Sequence, residues 1–355
     1  MKQWTTLMDG IHSLQLNTVP QPNEIKDDEV LVKIDRIALN HRDAKIINGD
    51  FNDSYPTPSQ PLIPASDASG TIVKVGDSIT AAGKWKRGDR VLSLMRPTHL
   101  TGPTTPEHAA SGIGIPGSGV LTEYRVFSAD GIVAIPDYMS LEEACTLPTA
   151  ATTAWMALNW DREIGRPRRG KDVVVLLLGT GGVSIAGLQQ AKALGLTVII
   201  TSSSAAKLER ARELGANHTI NYKTTPDWAA EVLRITAGRG ADIIFETGGP
   251  ATMEQSIRCV AAGGNINAIG VLSGTTDQGK GAGQAIALSL IRKNATLKGI
   301  NVGPRDRTEE MIKTVYEPFQ VHPVIDRVFG FNEAREALDY LYGGSHLGKV
   351  IIQVD

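Results

Sequence analysis

The sequence predicts an α/β protein in which a doubly wound parallel-sheet domain is inserted into a β-rich domain. Three observations predict it. The first third carries short β-branched or alternating runs separated by Gly, Pro and Asp. The middle alternates buried strand-like runs with helix-spaced segments. The tail returns to mixed signals and ends in a strand-like run, Lys349 to Val354.

In chain order, Glu29 to Ile37, Thr71 to Val75, Arg90 to Leu94 and Glu123 to Phe127 read as strands of a small barrel or sandwich. Arg96 to Gly119 has four prolines and no period, so it reads as a long loop. Asp172 to Leu178 is a continuous apolar run, as expected of a strand buried on both faces. Ser184 to Leu194 is helical and stops at Gly195. Thr197 to Thr201 is a second strand, and Ala205 to Leu214 a second helix with Gly215 after it. Asp242 to Glu246 and Asn265 to Ile269 are further strands with a helix, Thr252 to Val260, between them; another helix lies around Glu309 to Val315. Strand–helix–strand alternation means parallel pairing.

Composition excludes several classes. The 355 residues carry 36 Lys+Arg and 38 Asp+Glu, a net charge of −2. Without a basic excess, no nucleic-acid partner and no polybasic membrane anchor is expected. Val173 to Leu178 is far too short an apolar run to span a bilayer, and Met1 to Leu14 lacks the apolar core of a signal peptide. The two cysteines, Cys145 and Cys259, cannot form a four-cysteine zinc site, and a reducing, cytoplasmic setting is expected. Glycine is abundant, 37 residues, so many backbone positions need positive φ or close approach.

The strongest motif is Gly179-Thr180-Gly181-Gly182-Val183-Ser184, between a buried strand and a helix. That context is the one a dinucleotide fingerprint requires. The glycines permit a tight turn and close backbone approach, and the helix N-terminus attracts a diphosphate. Ser184 departs from the Gly or Ala usual at the third position. The bland alternative is a glycine-rich turn without a ligand. At the end of the second strand stand Thr201-Ser202-Ser203-Ser204-Ala205-Ala206-Lys207, with no carboxylate to bond a ribose 2′-OH or repel a 2′-phosphate. Ser202, Ser203 and Lys207 therefore favour NADP(H) over NAD(H). A Ser-rich helix cap with a surface lysine is the plain alternative.

These motifs resemble the medium-chain dehydrogenase/reductase superfamily. So do Gly88-Asp89-Arg90-Val91 and Leu147 to Trp155, and the similarity runs from about Val30 to Val354. Thr201 to Ser204, Gly215 to Tyr222 and Ser345 to Val350 are most like its zinc-type alcohol dehydrogenase-like branch, related to quinone oxidoreductases. The resemblance implies a GroES-like catalytic domain, residues 1–149 and 304–355, and an inserted Rossmann NADP(H)-binding domain, residues 150–303. It implies a cofactor in the cleft between them and a homodimer with the strand Thr296 to Val302 near the subunit contact. It further implies cofactor contacts at His41, Thr153, Gly179, Thr180, Gly181, Gly182, Val183, Tyr222, Gly270, Val271 and Lys349. His41 and Lys349 match diphosphate positions, and Tyr222 an adenosine-side position.

Where zinc-dependent members place Cys, His and Cys, this sequence has Asn40, Ser66 and Thr149, and no cysteine occurs in Arg96 to Gly119. No metal is therefore expected. Without a Lewis acid, and without a Tyr-x-x-x-Lys pair, the easier hydride acceptor is a quinone, an enone or another activated C=C. Its anion is delocalised and needs only hydrogen bonding. Asn40 is the candidate donor to that oxyanion. Asp67 is a candidate for fixing a neighbouring donor or relaying a proton, or else a structural carboxylate at a strand entry. The alternatives are a metal-free NADP-dependent alcohol dehydrogenase or ketone reductase, and an NADPH-binding protein without redox chemistry.

Overall fold

A computed structural model describes residues 1–50, 58–274 and 282–354. The chain forms two compact units, residues 1–152 with 302–355, and residues 153–301. Among the described residues no helix is long and apolar enough to cross a membrane.

The unit 153–301 is a six-stranded, all-parallel sheet. Its order is His218–Asn221, Thr197–Ser202, Val174–Leu177, Ala241–Glu246, Val260–Ala268, Thr296–Gly299. The chain starts in the middle, builds outward to one side, then returns and builds to the other. The order therefore reverses beside Val174–Leu177, and ligands of doubly wound sheets gather at that switch. All four residues of this strand are buried, which explains its unbroken apolar run. The helix after it, Gly182–Ala193, lies so close to the sheet that a Cβ on Gly187 would stand 2.6 Å from Phe245 Cε2. The glycine that permits helix–strand contact is thus Gly187. Ser184 instead donates its hydroxyl to Leu178 O at 2.9 Å.

The other unit is built on a seven-stranded, mostly antiparallel sheet. Along it run Ile325–Gly330, Lys349–Gln353, Glu29–Leu39, Asp67–Val75, Arg90–Ser93 and Ile132–Ala134, with Tyr124–Ser128 also paired to Glu29–Leu39. The C-terminal strand pairs antiparallel with Glu29–Leu39, Val350 opposite Leu39, so residues from the two ends of the sequence meet in one sheet. Trp4, Leu14, Ile34, Ile37, Leu121 and Leu338 belong to its core.

Two segments differ from expectation. Residues 96–119 are not all loop: Pro106–Ala110 is a helical turn, with the Thr105 hydroxyl accepting from the His108 N–H. Thr before Pro is a cap-and-first-turn signal, overridden by the proline density around it. His41–Ile47 is a helix where none was expected. Its signature was Asn40-x-x-Asp43: Asp43 Oδ2 accepts from the Asn40 backbone N–H at 2.8 Å.

Candidate active site

At the carboxyl edge of the parallel sheet, loops from five strands gather. Gly179 has φ +75°, a conformation side chains resist, and its N–H donates to Thr201 Oγ1 at 3.2 Å. That bond ties the glycine loop to the end of the second strand. A Cβ on Gly179 or Gly181 would meet nothing within 4 Å, so the backbone there faces open space. The helix Gly182–Ala193 starts directly after it, presenting first-turn N–H groups beside Gly182 and Val183. Thr180 is buried between them.

At the second strand's end, Ser202 is buried and its Oγ accepts from the Ser204 N–H at 3.3 Å. Ser204 caps the helix Ala205–Glu213 by accepting from the Lys207 N–H, as the plain alternative expects of that one serine. Ser203 and Lys207 are half-buried. Tyr222 is exposed, and its N–H donates to Ser202 O at 3.2 Å, which brings the third strand's end to the same place. These residues fit an adenine dinucleotide carrying a 2′-phosphate: backbone open to a diphosphate, hydroxyls and a lysine, and no carboxylate from Thr201 to Lys207.

The loops after the next two strands are fastened together. Gly270 N–H and Ile269 N–H both donate to Glu246 O, and Leu272 N–H donates to Thr247 O. The Glu246 carboxylate, fully buried, accepts from Gly248 N–H, Gly249 N–H, Thr252 Oγ1 and Ser256 Oγ. Glu246 thus fixes the backbone against which Gly270 and Val271 stand. The sequence reading missed it, although Glu-Thr-Gly-Gly directly after a strand was a visible signal. Thr153 is buried in the first turn of Thr152–Asn159.

The second constellation lies within the antiparallel unit. Asn40 follows the strand Glu29–Leu39, Asp67 opens the neighbouring strand opposite Ala38, and Lys349 opens the C-terminal strand. Asp67 is fully buried. It accepts from Ser66 Oγ at 2.8 Å, Thr149 Oγ1 at 2.6 Å and Thr149 N–H at 3.1 Å. At this strand entry it gathers the Ser66 and Thr149 hydroxyls. The Lys349 Nζ, in a side chain 5% exposed, donates to Leu39 O at 2.7 Å and to Asn40 Oδ1 at 2.9 Å. Lys349, matched above to a diphosphate position, is held here by two acceptors of its own unit.

Charge in this cluster is strongly perturbed. Burial pushes the Asp43 carboxyl up to about 6, against the pull of Arg42. Burial also draws the Lys349 ammonium below the ordinary lysine range, against the opposing pull of Asp67, Asp43 and Cys145. His41 stacks on Tyr342 with rings 5.8 Å apart and 6° from parallel; burial, then Lys45, lowers its pKa. Toward a phosphate it would therefore act as a neutral hydrogen-bond donor, not a cation. Cys145 is buried with its thiol pKa pushed up, and is inert.

The donor set does not fit a zinc ion. Asn40 Oδ1 faces an ammonium, and the Ser66 and Thr149 hydroxyls donate to Asp67. None offers a soft or anionic lone pair, and a dication would stand against Lys349. Among the described residues, no group of three His, Cys, Asp or Glu side chains could hold a metal. His99 and His108 stack at 4.4 Å, but His99 Nε2 bonds Gly102 O and His108 Nδ1 accepts from the Thr105 N–H.

Known proteins resemble this chain in sequence and fold. Residues 26–137 match the alcohol dehydrogenase GroES-like domain, and residues 182–317 the zinc-binding dehydrogenase family. A zinc-type alcohol dehydrogenase-like protein of Schizosaccharomyces pombe is 38% identical over 98% of this chain and 97% of its own. A quinone oxidoreductase of Pseudomonas aeruginosa is 31% identical over 72% of this chain and 68% of its own. The crystal structure of a candidate alcohol dehydrogenase from Sinorhizobium meliloti superposes with a TM-score of 0.87. It is 38% identical and covers 99% of this chain and 98% of its own.

Proposed function

This chain belongs to the medium-chain dehydrogenase/reductase superfamily of NAD(P)-dependent oxidoreductases, and from that premise we propose a zinc-independent, NADPH-dependent reductase of quinones, enones or other activated C=C substrates. One observation carries the proposal. Where zinc-dependent relatives would hold their metal, Asn40, Ser66 and Thr149 are hydrogen-bonded to Lys349 and Asp67. Such a site offers hydrogen bonds but no Lewis acid. It suits an acceptor whose anion is delocalised over oxygen and carbon, not the localised alkoxide of a simple ketone. The Pseudomonas aeruginosa relative, named for quinone reduction, supports the same class.

NADPH, when bound, supplies a hydride, two electrons with one proton, to the electrophilic carbon of the acceptor. The chain's residues do the rest. The backbone from Gly179 to Val183 receives the diphosphate, and Ser202, Ser203 and Lys207 the 2′-phosphate, with Tyr222 on the adenosine side. Thr153, Gly270 and Val271 orient the nicotinamide, the latter two on the backbone fixed by Glu246. Asn40 Nδ2 donates to the oxygen on which negative charge collects, and the resulting anion takes its proton from water. The edge strand Thr296–Gly299, with Leu297 exposed, supports a homodimer.

A spectrophotometric screen tests the reductase assignment. NADPH absorbance should fall with quinones and enones and hold steady with simple ketones. The reverse pattern makes the protein a metal-free ketone reductase. NADPH binding with no turnover across a broad panel makes it a non-redox binder.

A further inference from the structure

We infer that Lys349 is a positioning residue that locks the Asn40 amide with its carbonyl oxygen inward and its NH2 presented to the substrate oxygen. The inference rests on the reductase assignment and names a residue that this assignment does not require. It starts from register. Val350 pairs with Leu39, so the antiparallel strands set Lys349 beside Asn40, 309 residues away in sequence.

The chemistry of the pair then leaves one orientation. An ammonium donates and cannot accept, so the amide must face it with Oδ1. The observed contact is Nζ to Oδ1 at 2.9 Å. Asn40 Nδ2 is thereby turned the other way, where it is shielded from solvent and finds no acceptor among the described residues. A buried donor without a partner costs about 1–3 kcal/mol, so a structure that forces one needs a reason. A buried lysine is a second cost, since an apolar side chain of similar size would pack there without desolvating a charge. Both costs have the same explanation if the donor is kept vacant for a ligand oxygen. The charges facing Lys349 are Asp67 from the strand beyond Glu29–Leu39, Asp43 from the helix after Asn40, with Arg42 beside it, and the Cys145 thiol. When Lys349 loses its proton it gains a lone pair and can accept from Nδ2, so the amide is free to turn over.

A double-mutant cycle on the NADPH-dependent reduction tests this. Lys349→Met should lower kcat by a factor on the order of ten to a hundred, leaving NADPH affinity unchanged. Asn40→Ala should lower it as much or more, and the double variant should be no worse than Asn40→Ala alone. Wild-type kcat in Lys349→Met, or additive losses, overturns the inference. If Lys349→Met does not fold, Asn40→Asp keeps a partner for the ammonium and removes the donor. A folded Asn40→Asp enzyme with normal kcat overturns the inference, and one with kcat reduced on the order of a hundredfold supports it.

A second arm needs no turnover and so separates failure of the inference from failure of the reductase assignment. With 15N-asparagine labelling, the Asn40 side-chain NH2 pair is identified by its loss in Asn40→Ala. In wild type it should shift through an alkaline transition below the ordinary lysine range, and Lys349→Met should lack that transition. An NH2 pair indifferent to pH overturns the lock whatever the substrate proves to be.

Discussion

The dinucleotide edge of the parallel sheet is made of backbone, whereas the polar cluster of the antiparallel unit is made of side chains. At the first, Gly179 and Gly181 contribute by what they lack, and what they leave open to a ligand is N–H donors that every sequence possesses. At the second, Asn40, Asp67, Thr149 and Lys349 contribute particular functional groups from four separate stretches of chain. A site built from backbone is contiguous, because one loop makes it. It tolerates little change of shape, and its donors keep their orientation whatever side chains stand around them. A site built from side chains is scattered, and its members set each other's charge and orientation.

The largest expected effect breaks the backbone site without breaking the fold. A Cβ on Gly181 points into open space, so Gly181→Asp should fold with an unchanged melting temperature. Its carboxylate would stand where a diphosphate must lie, and like charges so placed cost several kcal/mol. NADPH affinity should fall on the order of a thousandfold by fluorescence titration. An affinity within threefold of wild type would mean that the diphosphate does not use this loop.

The same contrast explains what the sequence could tell. Val174–Leu177, the glycine turn and the following helix were legible because their signals lie within a few dozen residues: an apolar run, a turn chemistry, a helical period. Even there, the packing glycine is Gly187, since a close approach to Phe245 is a property of the folded pair and not of the motif's spacing. Asn40 was picked out by its place in a family pattern, and Lys349 as a diphosphate contact, but not as Asn40's partner. Nothing local to Lys349 announces that its strand will lie beside Glu29–Leu39, and only the register brings its ammonium to Asn40. The substitutions at Ser66 and Thr149 were legible as lost metal ligands. That Asp67 gathers both hydroxyls was not.

The side-chain site should betray itself by pH. The Asp43 carboxyl is pushed up by burial from the ordinary aspartate range to about 6, so the folded state holds this proton more tightly than the unfolded state. Its contribution to stability is therefore fully present below the unfolded pKa, near pH 4, and is lost as pH rises through about 6. Asp43→Asn keeps an oxygen for the Asn40 N–H but does not titrate. Between pH 4 and 7.5, wild type should lose about 2 kcal/mol relative to Asp43→Asn in denaturant unfolding. A constant difference across that range would mean that Asp43 is ionised in the fold throughout, with Arg42 at 3.7 Å compensating fully.

The smallest expected effect falls where the two modes of construction meet. At the end of Thr197–Ser202 the serines offer hydroxyls while Lys207 adds a single cation on the first turn of the helix Ala205–Glu213. Its backbone N–H already satisfies the Ser204 cap, so replacing the side chain leaves the helix start intact. Lys207→Ala should therefore weaken NADPH binding by about tenfold, the worth of one charge-assisted phosphate contact near solvent, and leave NADH binding within twofold. Equal losses for both would show that the lysine acts through the helix rather than on a 2′-phosphate. A preference for NADPH would then have to come from Ser202 and Ser203 alone, and a Ser203→Asp variant, carrying the carboxylate that NAD sites use, would reverse it toward NADH.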